Sequence, residues 1–220
     1  MAGHVKAPLA AWLACAGALV LLALVAYGIN AAQHADATLL AKLIARQDSA
    51  AWSVTNAIAH LADPAPLLVM LALACGIALW RGRPLDAVAA VVVVLGASVT
   101  TQVLKVLLAH PRYQAVLGHH QLGPIAFPSG HATAATSIAI AFVFVAPRRM
   151  KLAAAVLGAG FVAAVGLSVL VIAWHYPSDV LGGVLVACGW GFAVLAATRA
   201  ISPRGSRDAG VSRRAPLPSP

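Results

Sequence analysis

The sequence predicts an all-α integral membrane protein, a bundle of six transmembrane helices with interfacial amphipathic helices after the first span. Of its 220 residues, 61% are hydrophobic and only 10% are charged, whereas a soluble domain is about half apolar and a quarter charged. The apolar residues form continuous runs of roughly 20 residues, the length of a helix that crosses a bilayer. Because the runs do not alternate between apolar and polar positions, a transmembrane β-barrel is disfavoured.

Turn and charge signals delimit the spans. The six spans are predicted at residues 8–27, 64–80, 86–109, 130–146, 152–173 and 179–198. Pro64 opens the second span, and Pro147 ends the fourth. A cleaved signal peptide is the alternative for the first run, but that run is longer than the roughly 7–15 residues of a signal core. The spans make up a single domain, residues 1–198.

Two segments lie outside the predicted spans. Residues 32–62 mix polar side chains with leucines at helical spacing, which predicts amphipathic helices in the membrane interface, with an extramembrane loop as the alternative. Residues 199–220 hold five arginines and four prolines, which predicts a disordered basic cytoplasmic tail. The three cysteines lie inside apolar runs without zinc-site spacing and are interpreted as small buried hydrophobes.

The net charge of +9 is interpreted as a topology signal and not as a nucleic-acid site. Eleven of the fifteen Lys and Arg residues fall on the side of the bundle that carries both termini, and four fall on the other side. Positive residues mark the cytoplasmic face of a membrane protein. Both termini are therefore predicted to be cytoplasmic, and the loops after spans three and five to lie outside.

A helix start at the end of the first of these outer loops suits an anion. Ser129 is a predicted N-cap, Gly130 lets a ligand approach the backbone, and His131 lies on the first helical turn. Free N–H groups at a helix start attract anions, and a histidine can donate a proton. An ordinary cap followed by a core histidine would have the same sequence.

Cations precede this helix, and a His–Asp pair follows it. Lys105 lies near the end of an apolar run, where an ionisable residue indicates function, although snorkelling to the interface is the alternative. Arg112 can join it around phosphate oxygens. His175 and Asp179 are four residues apart and share a helix face, so the carboxylate can orient a nucleophilic histidine. Metal ligation and a helix-capping pair are the alternatives.

Together these residues resemble the type 2 phosphatidic acid phosphatase (PAP2) superfamily of membrane phosphatases. That family is marked by Lys-x6-Arg-Pro, Pro-Ser-Gly-His and Ser-Arg-x5-His-x3-Asp. The corresponding stretches here are Lys105-x6-Arg112-Tyr113, Pro128-Ser129-Gly130-His131 and Ser168-Val169-x5-His175-x3-Asp179. Tyr113 thus replaces a proline, and Val169 replaces an arginine that the family uses to hold phosphate.

The resemblance implies hydrolysis of a lipid phosphate or diphosphate, without metal or cofactor, at the outer face of a bacterial cytoplasmic membrane. It implies that His175 forms a phosphohistidine, that Asp179 orients it, and that His131 protonates the leaving oxygen. The phosphate-holding groups implied are Lys105, Arg112, Ser129 and the backbone at Gly130. Among substrates, resemblance to compact bacterial members favours undecaprenyl diphosphate over phosphatidate, phosphatidylglycerol phosphate and lipid A phosphate.

Val169 motivates an alternative, a catalytically weakened or inactive relative that binds anionic lipid. If the family geometry holds, Val169 borders the phosphate pocket and Val169→Arg is expected to raise turnover. One of the loop histidines His110, His119 and His120 is a candidate to replace the missing cation. A small transporter or channel component is disfavoured, because the polar groups cluster outside and are not traced through the bundle.

Overall fold

The computed structural model describes residues 3–44, 49–118 and 122–201, and these form eight α-helices with connecting loops. The helices are α1 (Gly3–Gly28), α2 (Asn30–Leu43), α3 (Ala50–His60), α4 (Pro64–Trp80), α5 (Pro84–Leu107), α6 (Gly130–Val145), α7 (Lys151–Val171) and α8 (Pro177–Ile201). Short 3₁₀ helices occur at Ala115–Leu117 and Arg148–Met150. No β-strand occurs in these three ranges, and the all-α class is confirmed.

Every predicted span is helical. The second has the bounds of α4, because Pro64 at the first helical turn and the Arg81–Gly82 turn delimit it in both sequence and structure. The last continues as α8 to Ile201, three residues beyond its predicted end. The rest of the predicted tail, residues 202–220, lies outside the described residues.

Helix length supports fewer spans than the sequence predicted. Val5–Gly28, Pro84–Leu107, Arg148–Val171 and Pro177–Ile201 are long and apolar enough to cross a membrane. The helices α4 and α6 have only 17 and 16 residues, and α3 and α4 together pass the same test as a pair bent by 51°. Length and composition therefore support four candidate spans, or five if the bent pair is one span. The count of six remains a prediction.

The helices α2 and α3 occupy the segment in which amphipathic helices were predicted. Ser49 caps α3, since its Oγ accepts a hydrogen bond from the Trp52 N–H at 3.1 Å. The helix α3 packs against α7, while α2 packs against α1, α7 and α8. Residues 45–48 between them lie outside the described residues.

The helix α6 is the centre of the bundle. It packs against α4, α5, α7 and α8, and nine of its 16 residues are buried. The helix α1 lies along α8 on the outside of this group. The first turn of α6 is therefore surrounded by neighbouring helices, and side chains from several of them meet there.

Gly183 allows α8 to approach the first turn of α6. A Cβ at this position would lie 2.5 Å from the Ser129 carbonyl oxygen and 3.0 Å from the Thr133 nitrogen. Both are backbone atoms, which cannot move aside as a flexible side chain can. The absence of a side chain thus sets the distance between the starts of the two helices.

We expect Gly183→Ala to destabilise the protein by about 1–3 kcal/mol, the usual cost of overpacking a core, and to lower the thermal unfolding temperature in detergent. Gly160→Ala on α7 is the matched control, because nothing lies within 4 Å of its added Cβ. Equal unfolding temperatures for the two variants would contradict the close approach of α8 to α6.

Candidate active site

The predicted site residues meet at one end of the bundle, where α6 and α8 begin. The Ser129 N–H donates to the Asp179 carbonyl oxygen at 2.8 Å, which joins the second and third sequence motifs. The ring centroids of His131 and His175 are 6.3 Å apart. Two histidines thus face a common region from different helix starts.

Ser129 is the N-cap of α6, as predicted. Its backbone is extended, and its Oγ accepts a hydrogen bond from the Ala132 N–H at 3.3 Å. The side chain is fully buried. The cap leaves the N–H groups of Gly130 and His131 at the positive end of the helix dipole, beside the candidate site.

Asp179 is a buried carboxylate with several donors around it. Its Oδ1 accepts from Arg112 Nη1 at 2.7 Å, and its Oδ2 accepts from the Tyr176 backbone N–H at 2.8 Å. His175 Nδ1 lies 3.6 Å from Oδ2, which is longer than a hydrogen bond. Among the described residues no side chain or backbone group hydrogen-bonds this nitrogen. Asp179 is therefore near His175, but its short contacts are with other groups.

Arg112 is held by carboxylates. Besides Asp179, its Nη2 donates to Asp36 and, at 3.0 Å, to the Ser178 hydroxyl. Asp36 also accepts from the Ser178 N–H at 3.1 Å. Two acidic side chains compete with phosphate for this guanidinium, and it does not line the cavity described below. The role of Arg112 in holding phosphate stays a prediction, and in this structure its contacts join α2 to the start of α8.

Two tyrosine rings flank the same guanidinium. Its carbon lies 4.0 Å from the centroid of the Tyr176 ring and 5.5 Å from that of Tyr27, both within cation–π range. Burial raises the pKa of Tyr176 to about 12, so its phenol remains protonated and donates to the Tyr113 carbonyl at 3.1 Å. The guanidinium of Arg112 is thus held by ring contacts on its faces and by hydrogen bonds at its edge.

Tyr113, which replaces the motif proline, uses a group that proline lacks. Its backbone N–H donates to Gln33 Oε1 at 3.1 Å, and its ring stacks on His34 with centroids 3.6 Å apart. Both partners belong to α2. The departure from the family motif therefore attaches the loop after α5 to this helix.

A groove of about 470 Å³ opens beside the two histidines. Its polar end holds Asp63, Lys105, His131 and His175, and apolar residues of α4, α5 and α6 line the rest, with Ser98 and Gln102 on α5. Lys105 Nζ donates to the carbonyl oxygens of Ile125 and Ala126 at 2.9 and 3.3 Å. Lys105 and two imidazoles thus lie at one end of a groove whose other walls are mostly apolar.

The end of α7 aims His175 at this groove. The Trp174 N–H donates to the Val169 carbonyl and the Ala173 N–H to that of Leu170, at 2.9 and 3.0 Å, which is a Schellman ending. Ala173 adopts a left-handed backbone with φ 58°, a conformation that costs an alanine about 1–2 kcal/mol. The sharp turn places the Trp174 ring 5.1 Å from that of His131.

Val169 does not border the groove. It is fully buried and packs in an apolar cluster with Ala59 of α3 and Ile172, beside Trp52 and Val180. The expectation that its side chain lies at the phosphate pocket is therefore wrong. The helix α3 covers this part of α7, so the position of the motif arginine is filled by apolar packing.

Of the three loop histidines considered as a replacement cation, His110 is the one that lies among the described residues. His119 and His120 lie outside the described residues. The Nδ1 atom of His110 lies 2.7 Å from the Pro111 carbonyl oxygen. The side chain does not line the groove.

Sequence reasoning missed Asp36 and Asp63. Asp63 accepts from His131 Nε2 at 3.1 Å and from His60 Nδ1 at 2.7 Å. The whole chain has only six acidic residues, so each carboxylate on the predicted outer side was a candidate partner for a cation. No cluster of three His, Cys, Asp or Glu side chains suited to a metal ion occurs in the part of the chain that the structure describes.

Comparison with known proteins decides the family. A model described as the PAP2 superfamily matches residues 86–202, more than half of the chain. The chain belongs to the PAP2 superfamily. The match contains all three motifs and confirms the resemblance inferred from them.

A solved PAP2 structure has the same fold. The first transmembrane PAP2 type phosphatidylglycerolphosphate phosphatase from Bacillus subtilis matches with a TM-score of 0.72 and 19% sequence identity, over 88% of this chain and 98% of that one. The membership and the fold make this protein an integral membrane phosphatase of the PAP2 type. No curated protein matches the sequence significantly.

We expect Arg112→Gln to lower the unfolding temperature more than any other change in the site, because it leaves the buried carboxylates of Asp36 and Asp179 without their cation. Removing one partner of a buried ion pair costs about 3–5 kcal/mol. Adding Asp36→Asn should recover part of that loss, and Lys105→Gln is the control that keeps both carboxylates paired. An Arg112→Gln protein with wild-type unfolding and weakened phosphate inhibition would contradict this structural role and support the predicted role of the arginine as a phosphate ligand.

We expect Val169→Arg to lose stability and to gain no activity, since it buries an unpaired charge at a cost of about 3–5 kcal/mol. Thermal unfolding and lipid-phosphate turnover check this, with Val169→Ile as an apolar control. A folded Val169→Arg protein with raised turnover would show that the side chain reaches the phosphate after all.

Proposed function

We propose that this PAP2 protein hydrolyses a membrane lipid phosphate or diphosphate through a phosphohistidine on His175. The observation that carries the proposal is the groove whose polar end joins two imidazoles and Lys105, while its walls are apolar. A phosphate group suits the first part, and the hydrocarbon tail of the same molecule suits the second.

In the proposed first step, His175 attacks phosphorus in line. Its Nδ1 lies on the side of Asp179, which leaves Nε2 for the attack. The new N–P bond forms as the P–O bond to the lipid breaks, and His131 gives its proton to the leaving oxygen. Asp179 stabilises the positive charge that develops on His175.

Water completes the reaction. His131, now neutral, takes a proton from the attacking water as the N–P bond breaks and phosphate leaves. His175 and His131 return to their starting protonation states, and the net change is hydrolysis of one P–O bond. Phosphoryl transfer depends chiefly on positioning and charge stabilisation, which Lys105 and the N–H groups of Gly130 and His131 supply in this proposal.

The groove supports a lipid as substrate, but it does not discriminate among headgroups. Its apolar lining includes Leu67 and Leu68 of α4 and Leu95 of α5. Undecaprenyl diphosphate and phosphatidate both combine an apolar tail with an exposed phosphate. Undecaprenyl diphosphate remains the substrate favoured by the sequence resemblance.

The proposed arrangement in the bacterial cytoplasmic membrane has six spans, with both termini cytoplasmic and the site at the outer face. Arg81 Nη1 donates to the Val145 carbonyl, which brings the α4–α5 turn and the end of α6 together. The basic residues of this turn and of Arg148–Met150 therefore gather at the opposite end of α6 from His131. Such clustering is expected of a cytoplasmic face.

A catalytically weakened or inactive lipid-binding relative is the second candidate. Arg112 is engaged by two aspartates, and the arginine of the third motif is absent. Lys105 is then the one lysine or arginine that lines the groove among the described residues. A site with reduced positive charge favours binding over turnover.

Phosphate release by the purified full-length protein distinguishes the two. We expect turnover of lipid phosphates and diphosphates in mixed micelles, reduced to the uncatalysed background by His175→Ala, retained in EDTA and inhibited by vanadate. Gly160→Ala is the control for handling and reconstitution. Saturable lipid binding without release by the wild-type protein would reject the enzyme and favour the inactive relative.

A further inference from the structure

Asp63 bridges two histidines at the edge of the groove. Its Oδ1 lies 3.1 Å from His131 Nε2, and its Oδ2 lies 2.7 Å from His60 Nδ1. The three side chains come from the end of α3, the α3–α4 junction and the first turn of α6. Both oxygens of one carboxylate are thus used by imidazoles of different helices.

This contact is not explained by helix capping. Asp63 occupies the N-cap position of α4, where aspartate normally accepts from a backbone N–H of the first turn. Its side chain makes no cap hydrogen bond. The carboxylate is directed instead at the histidines, so its placement serves the groove and not the helix end.

Trp174 holds both imidazoles in place. Its ring contacts His60 edge-on, with centroids 5.5 Å apart, and packs at a tilt against His131 at 5.1 Å. It directly precedes His175 in the chain. The bridge is therefore packed against the segment that carries the proposed nucleophile.

We propose that Asp63 is a positioning residue for His131, fixing the ring so that Nε2–H remains on the carboxylate and Nδ1 exchanges the proton with substrate, and that His60 holds Asp63 in this orientation. The inference rests on the proposed function. During the reaction the proton moves only between His131 Nδ1 and the leaving oxygen or the attacking water. The proton on Nε2 stays in its hydrogen bond throughout.

The charges around His131 favour this assignment. The other ionisable side chains at this end of the groove are His175 from the α7–α8 loop, Lys105 from α5 and His60 from α3, and none of them is an anion. The carboxylate of Asp179 lies 3.6 Å from His175 Nδ1, on the far side of that ring, and is paired with Arg112. Hydrogen bonding from His60 lowers the pKa of Asp63 below its usual value, so the carboxylate is ionised at neutral pH. Asp63 thus supplies a negative charge beside His131 that stabilises the ring whenever it carries its second proton.

Asp63→Asn tests the proposal because it keeps the shape and removes the charge. Positioned proton transfer contributes about 10²–10⁴-fold to an enzymatic rate, and we expect a fall in kcat of about tenfold to a hundredfold with little change in KM. The alkaline limb of the pH profile should move to lower pH, because His131 loses the charge that stabilises its protonated form. Asp63→Glu should recover part of the rate, and His60→Gln should show a smaller loss than Asp63→Asn.

Asp86→Asn is the matched control. Asp86 also loses an ion pair on this change, with Arg83 at 2.7 Å, but it lies at the other end of α4 from Asp63. Wild-type kcat and pH profile for Asp63→Asn would overturn the proposal. A loss of rate with an unmoved pH profile and a lowered unfolding temperature would assign Asp63 a structural role and overturn it as well.

A measurement without turnover separates this inference from the proposed function. In protein labelled with ¹³C-histidine, with the His131 resonance assigned by His131→Asn, we expect Asp63→Asn to lower the titration midpoint of His131, because the change removes the negative charge beside its protonated ring. An unmoved midpoint overturns the bridge. A shifted midpoint in a protein without phosphatase activity on any lipid phosphate rejects the proposed function and leaves the bridge supported.

Discussion

Asp179 connects three segments that are far apart in the sequence, and the geometry of the site depends on it. Its carbonyl oxygen accepts from Ser129 at the start of α6, and its carboxylate accepts from Arg112 of the loop after α5. A third donor, the Tyr176 N–H, fixes the turn into α8. Because the carboxylate is fully buried, these hydrogen bonds offset the cost of removing its charge from water. The residue thus acts as a structural joint as well as a neighbour of His175.

The elements were largely predictable from sequence, whereas the partners were not. Apolar runs, prolines and the Ser129 cap are local signals, and α4 and α6 follow them within a residue. The pairs Arg112–Asp36 and His131–Asp63 are 76 and 68 residues apart in the chain. No periodicity or spacing rule relates residues at that separation, because their contact depends on how the helices pack. Val169 shows the same limit. The motif showed that a valine replaces the arginine, but the surroundings of this side chain depend on where α3 packs.

Two aspartates contact different basic side chains of the site, one in a buried cluster and one at the groove. Asp36 helps to retain Arg112 in a buried cluster, and Asp63 contacts the more exposed His131. Lys105 also lines the groove, and the hydrogen bonds described for its ammonium group go to carbonyl oxygens and not to a carboxylate. Carbonyl partners are neutral and give up an ammonium group more readily than a carboxylate would. A bound phosphate therefore competes more easily for Lys105 than for Arg112.

The shortness of α6 has a consequence for depth. Its 16 residues extend about 24 Å at 1.5 Å per residue, less than the roughly 30 Å of bilayer hydrocarbon. In the six-span arrangement, either the bilayer thins around this helix or its first turn lies below the headgroup plane. A phosphate bound there would leave the hydrated layer and enter a region where charge interactions are screened less. A lipid can offset this loss of hydration because its tail is already in hydrocarbon, and a small water-soluble ester has no such compensation. The length of one central helix would then select membrane substrates before any side chain recognises the headgroup.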